Sequence, residues 1–241
     1  MEKIIALLPI REHSERVKNK NFRDLCGKPL YQWILNTLLS CKCIERVVID
    51  TDSEEFIKEL HALYPDIQTI LRPEEIRGGH VSMNRVIAHD MSVCTDAEFF
   101  LQTHTTNPLL SKNSIQSGIE KYFSEMPKYD SLFTVNRIQA RTYWADGSPI
   151  NHTLGELKRT QDLPAIYEEN SNFFIFSRES FKRTNSRIGV HPYLFETPPM
   201  QSLEIDEPED FAYIQLLMQA LIQQGELQNE SPQFLIKGMK K

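Results

Sequence analysis

The stretch Ile4 to Leu30, IIALLPIREHSERVKNKNFRDLCGKPL, decides how the chain is read. Ile4 to Pro9 is apolar without alternation, which fits a central parallel strand covered on both faces. A loop dense in charge follows. Between Arg11 and Lys28 it carries six basic residues (Arg11, Arg16, Lys18, Lys20, Arg23, Lys28) against three acids (Glu12, Glu15, Asp24). The whole chain is net −6, so this local positive excess runs against its background. A buried strand feeding a basic loop at the carboxyl edge of a sheet is a usual place to hold an anion. A solvated surface loop is the alternative for a charge run taken by itself.

Working outward, Pro29 suits the first turn of a helix, and Leu30, Trp33, Ile34, Thr37 and Leu38 recur at helical spacing. Val47 to Ile49 reads as a second strand, followed by a capping box, Thr51-x-x-Glu54, and a helix with Phe56, Leu60 and Leu63 on its apolar side. Ile67 to Leu71, Glu98 to Gln102 and Ser131 to Val135 read as further strands, with helices from Met83 and over Ser111 to Glu125. Asn172 to Phe176 and Ser202 to Ile205 are expected to complete the sheet before a long helix over Glu207 to Gln224. Alternation of this kind predicts a doubly wound, mainly parallel α/β sheet.

The expected organisation is one domain over residues 1–225, interrupted at 136–167 by a flap or strand pair with scattered aromatics. Residues 226–241 read as a polar tail.

Composition sets the outer bounds. At 241 residues and 40% hydrophobic content the chain can build one sizeable core. The acidic balance argues against nucleic-acid binding. No run reaches the roughly 18 apolar residues of a membrane helix. The apolar start is too short for a signal-peptide core, so a cytoplasmic protein without a membrane partner is expected. Cys41-x-Cys43 lacks zinc spacing, and thiols in a reducing compartment are expected.

The order of residues in the basic loop resembles the amino-terminal signature of the sugar-acid cytidylyltransferases, the CMP-sialic acid synthetase family. That signature runs I-P-A-R-G-G-S-K-x-[IV]-x-x-K-N and then G-K-P-L. Pro9, Arg11, Ser14, Val17, Lys20, Asn21 and Gly27-Lys28-Pro29-Leu30 fall at matching positions. The family's glycine pair is replaced by Glu12 and His13, and its lysine by Glu15. Glycine lets backbone approach phosphate unhindered, so this loop must swing wider or lean on side-chain charge.

Further segments resemble the family in order. Thr51-Asp52-Ser53 resembles S-T-D-S, and Arg72-Pro73 with Ser82 resembles its R-P then S segment. Gln102 resembles the glutamine of L-Q-P-T-S-P-L, although the loop Thr103 to Pro108 is two residues longer. Tyr167 to Asn170 with Phe173 to Ile175 resembles E-N-G-A-F-Y-I, and Glu204 to Phe211 resembles D-I-D-x-P-x-D-[FL].

The resemblance implies an enzyme that condenses CTP with a 2-keto-3-deoxy sugar acid, releasing pyrophosphate and the CMP-sugar. An N-acylneuraminate, or a legionaminate- or pseudaminate-like acid, would be the acceptor. It implies Arg11, Lys20 and Asp206 as catalytic groups, and Arg11, Ser14, Arg16, Lys20, Asn21, Arg72 and Ser82 as nucleotide-binding. Gln102, Thr103, His104, Asn107, Glu169 and Asn170 would face the sugar, and Glu204 with Asp206 would hold Mg2+. Glu204 and Asp206, two apart, would project to one side of a strand. Helix capping is the competing role for Asp206, and His104 is weighed as a general base. A homodimer formed through residues 136–167 is also implied. Three other functions stay open: a 3-deoxy-octulosonate cytidylyltransferase, a glycosyltransferase using Asp50-Thr51-Asp52 for metal, and a non-catalytic relative.

Overall fold

The computed structural model describes residues 3–227, and the expected polar tail lies outside the described residues from 228 onward. Strand β1 (Ile4–Ile10) is buried throughout. Ile4, Ala6, Leu8 and Ile10 enter one apolar cluster, and Ile5 and Leu7 enter another on the opposite face. An unbroken apolar run is what a strand with no polar face requires.

The chain then forms a small hairpin, β2 (Asp24–Leu25) and β3 (Lys28–Pro29), and helix α1 (Leu30–Ser40). β4 (Ile44–Thr51), α2 (Glu54–Leu63), β5 (Gln68–Leu71), α3 (Met83–Val93) and β6 (Phe99–Thr103) complete the parallel half. After α4 (Lys112–Glu125) come β7 (Ser131–Ile138), β8 (Ile166–Ser177), α5 (Arg178–Thr184), β9 (Pro192–Glu196) and α6 (Pro208–Gln223).

Seven strands share one sheet in the order β5-β4-β1-β6-β8-β7-β9. β8 runs against its neighbours β6 and β7, and every other pairing is parallel. Helices α1, α2 and α4 cover one face, and α3 and α5 the other. Helix α6 packs through Phe211, Ile214 and Met218 on Leu25 of the small hairpin and on Leu30 and Trp33 of α1. This is the doubly wound arrangement expected from the alternation.

Two local expectations are corrected. Ser202 to Ile205 is not a strand. A 3-10 turn over Pro199–Ser202 starts on the second of two prolines, and among the described residues Ile205 makes a single backbone–backbone link, to the Thr106 carbonyl at 2.9 Å. The strand in its place is β9, whose Tyr193 and Phe195 pack against the core on alternate positions. The capping residue of α2 is Ser53, whose hydroxyl accepts from the Phe56 amide at 3.2 Å, because Thr51 still belongs to β4.

Residues 139–165 leave the sheet between β7 and β8. Asn151 organises them: its amide nitrogen donates to the carbonyls of Ala140 (2.8 Å) and Pro164 (2.9 Å), and its oxygen accepts from Thr142. Tyr143, Trp144, Leu154 and Leu157 are exposed on this excursion. The described cysteines form no disulfide.

Candidate functional site

In a doubly wound sheet the ligand crevice lies beyond the carboxyl ends of the parallel strands. Here those ends are Ile10, Thr51, Leu71 and Thr103. The basic loop after β1 is tied down by groups that are not basic. The Asn21 amide nitrogen donates to the Arg11 carbonyl at 2.8 Å, and its oxygen accepts from the Thr105 hydroxyl at 2.6 Å. The Glu12 amide donates to Asp52 at 2.8 Å. Gly79 lets the Glu15 carboxylate and the Arg11 guanidinium lie directly against the loop before α3, where a Cβ would collide with Glu15. Ser14 and Lys20 are half-buried, and Arg16 is exposed.

The acid pair closes the crevice from the far end of the chain. Asp206 Oδ1 accepts from Arg16 Nη2 at 2.9 Å and lies 3.3 Å from Lys20 Nζ. Lys20 also donates to the Ile205 carbonyl at 2.8 Å, and Arg16 pairs with Glu207 at 2.9 Å. Glu204 accepts from the Thr106 hydroxyl at 2.8 Å. Burial pushes the Glu204 carboxyl up, the Thr106 hydroxyl opposes this, and the charge of Asp206 adds to it. The two carboxyls therefore feel each other, although they do not share a strand as expected. Capping of α6 falls to Glu207 and Asp210, and the Asp210 side chain takes the amides of Asp206 (3.0 Å) and Glu207 (2.7 Å). The Asp206 side chain is thus released from the capping role. Two carboxylates of hard oxygen, partly open to solvent, are a donor set that suits magnesium.

The sugar-side candidates divide. The Thr103 hydroxyl donates to the Asn172 carbonyl at 2.5 Å in the core. Asn107 is fully buried and accepts from Thr106 at 3.3 Å. The Asn170 amide donates to Asn136 (3.0 Å) and Thr197 (2.8 Å) and accepts from the Asn172 amide. These three side chains hold the scaffold. Gln102, His104 and Glu169 instead gather around Arg187, which sequence reasoning missed. Arg187 lies in an irregular segment between α5 and β9, and its only sequence signal is a basic residue without an acid beside it. The His104 ring is pushed down to about 3 by burial, with Arg187 and Lys20 adding to it, so it is neutral near pH 7 and too weak to serve as an effective base.

Arg72 and Ser82 also have structural tasks. Ser82 caps α3, accepting from the Asn84 amide at 3.3 Å. Arg72 is buried and donates through Nε to Asp50 Oδ1 at 2.5 Å. Asp90 faces Asp50, and its carboxyl is pushed well up by burial and by Asp50. A neutral acid beside the Asp50–Arg72 ion pair satisfies that charge balance. Asp50, Asp90 and His89 place potential ligand atoms within 4.8 Å, but Arg72 already supplies the cation there. Asp50 and Asp52 are therefore each committed elsewhere, one to Arg72 and one to the Glu12 amide. That removes the physical basis for an Asp-x-Asp metal pair.

Comparison with known proteins gives a consistent picture. Residues 5–239 match the sequence model of a family described as Cytidylyltransferase. An N-acylneuraminate cytidylyltransferase of Escherichia coli is 28% identical over 214 residues, covering 87% of this chain and 50% of that protein. One from Streptococcus agalactiae is 25% identical, covering 88% and 52%. The chain thus spans about half the length of these relatives. A pseudaminic acid cytidylyltransferase of Campylobacter jejuni is 22% identical, covering 89% of this chain and 96% of that protein. A solved CMP:2-keto-3-deoxy-manno-octonic acid synthetase in complex with CTP shares the fold, with a TM-score of 0.65 at 14% identity over 91% of this chain and 99% of that one.

Proposed function

Because the chain belongs to the cytidylyltransferase family, we propose that it condenses CTP with a 2-keto-3-deoxy sugar acid to give the CMP-sugar and pyrophosphate. The acceptor class follows from relatives named for N-acylneuraminate and pseudaminic acid. The observation that carries the reading is the convergence of Arg16 and Lys20 on Asp206 at the carboxyl edge of the sheet. Cations and an acid pair at one point are what a triphosphate undergoing attack at its α-phosphorus requires.

In this reading the anomeric hydroxyl oxygen attacks the α-phosphorus and gives up its proton to solvent water, the bond from that phosphorus to its bridging oxygen breaks, and pyrophosphate leaves. Arg11, Arg16 and Lys20 bind phosphate oxygens, with Arg16 and Lys20 exchanging their contacts to Asp206 for the nucleotide. Glu204 and Asp206 would hold magnesium, which would supply positive charge at the α-phosphate and the leaving group. Asn21 and Arg72 act mainly by holding the walls of the nucleotide crevice, through the Arg11 carbonyl and Asp50.

The proposed assembly is a homodimer. Its support is the exposed apolar set Tyr143, Trp144, Leu154 and Leu157 on an excursion that packs little of its own surface. The excursion and the sheet would form one domain. No helix among the described residues is long and apolar enough to cross a membrane; cytoplasmic placement is part of the proposal.

The test is a pyrophosphate-release screen of the four nucleoside triphosphates against a panel of 2-keto sugar acids, with and without chelator. Turnover with CTP and a sugar acid, dependent on magnesium, is expected. Equal turnover with UTP, or full activity in chelator, would overturn the reading.

A further inference from the structure

Arg187 is held in an unusual way. Its guanidinium carbon lies 3.5 Å from the centre of the Phe174 ring, on strand β8. Nη1 donates to Gln102 Oε1 and lies 3.1 Å from His104 Nε2. Gln102 Nε2 also approaches His104 Nε2, at 3.3 Å. Both neighbours of that ring nitrogen are donors, so it must be the acceptor, and the ring proton sits on Nδ1. The backbone amide of Arg187 donates to Asn84 at 3.3 Å. The arginine is therefore fixed from four sides by a ring face, two neutral acceptors and a backbone bond.

None of those contacts neutralises its charge. Nε and Nη2 donate to no protein acceptor among the described residues. The nearest carboxylate is Glu169, 3.8 Å from Nη2, beyond hydrogen-bond distance and 41% exposed. The Arg187 side chain is only 16% exposed. Burial pushes its pKa down to about 10, with Glu169 opposing the shift, as expected for a partly desolvated cation with incomplete compensation. Lys20 and Asp206 both act on the charge of His104, which puts this arginine at the same edge as the acid pair. The unused donor edge can meet both oxygens of a planar carboxylate, the geometry for which a guanidinium is suited.

We propose that Arg187, oriented by Gln102, His104 and Phe174, receives the carboxylate of the acceptor sugar acid, and that Glu169 marks the position this carboxylate takes. The inference rests on the proposed cytidylyltransferase reaction and assigns one residue to acceptor recognition within it.

The test compares wild type, Arg187→Gln and Arg187→Lys by steady-state pyrophosphate release, varying CTP and sugar acid separately. The sugar acid whose turnover is highest in wild type is used, together with its methyl ester. Arg187→Gln is expected to raise KM for the acid about 30-fold, the size of a lost charge-assisted pair, and to leave KM for CTP unchanged. Wild type should discriminate against the ester by a similar factor, and Arg187→Gln should not. Arg187→Lys should fall between, since it keeps the charge and loses the fork. If Arg187→Gln does not fold, Arg187→Lys and the wild-type ester ratio decide the matter. Unchanged KM for the acid, an equal rise for CTP, or undiminished ester discrimination in the variants would each overturn the assignment while wild-type turnover left the reaction standing. A wild type inactive on every sugar acid would instead remove the reaction itself, and the assignment with it.

Discussion

Arg16 and Asp206 stand 190 positions apart in the chain and meet at 2.9 Å. The pair is substantially exposed, at 56% and 39% of the two side chains, so it contributes little to stability. It marks the point where the first loop and the last loop of the sheet edge come together.

Asp206→Asn should therefore separate chemistry from folding. The cap of α6 belongs to Glu207 and Asp210 and survives the change. Pyrophosphate release is expected to fall by at least about 100-fold, while stability shifts by less than about 1 kcal/mol. Extra magnesium should restore part of the rate. Glu204→Gln should act in the same direction and less severely. Full activity in Asp206→Asn would remove the proposed metal role.

The buried carboxyls predict a pH dependence of stability. Asp90 has a raised folded-state pKa, so its protonated form contributes stability that is fully present below the unfolded value of about 3.9 and is lost as pH rises through the folded value. Asp90→Asn keeps a donor toward Asp50 and removes the titration. Denaturant melts from pH 4 to 8 should show the variant gaining on wild type with rising pH. Asp50→Asn should instead cost about 3 kcal/mol or more, because it leaves buried Arg72 without its anion. A constant difference between Asp90→Asn and wild type across this range would contradict the neutral-acid assignment.

For His104 the sign is opposite. Its folded value is depressed to about 3 from an ordinary value near 6.5, so the stability it confers is present above about pH 6.5 and is lost as pH falls toward 3. Nitrogen–proton correlation spectra of the imidazole should show one neutral tautomer, protonated at Nδ1, from pH 5 to 8. A midpoint near 6.5 would show that the ring is neither desolvated nor set against Arg187 as described.

Trp144→Ala combined with Leu157→Ser tests the proposed assembly. Light scattering at micromolar concentration should give a dimer for wild type and a shift toward monomer for the double variant. The melting temperature of the isolated subunit should barely change, since both side chains are already exposed. A wild-type monomer would contradict the proposal.

Much of the fold was legible because its signals are local. The apolar run of β1 has no polar face to hide, and the amphipathic patterns of α1 and α4 follow directly from residue spacing. What escaped depends on distant partners. β9 is a five-residue alternation whose core contacts come from α4 and β7, and α5 is only seven residues long. At the site, the basic loop and the acid pair could be read from residue order. Whether a polar side chain faced ligand or scaffold could not. Asn170 is consumed by Asn136, Thr197 and Asn172, and Arg187 is assembled from β6, β8 and a loop before β9. No pattern within a short window carries that information.

The links from Ile205 to Thr106 and to Lys20 have a further consequence, for the order in which the protein is made. The parallel half of the sheet is complete once residue 103 has emerged from the ribosome. The segment that joins its loops arrives about a hundred residues later, at 204–206. At synthesis rates of roughly 5–20 residues per second, the half-sheet spends about 5–20 seconds with its crevice open and Lys20 without Asp206. The join between the two loops is thus made after every strand of the sheet has been synthesised, with α6 still to follow.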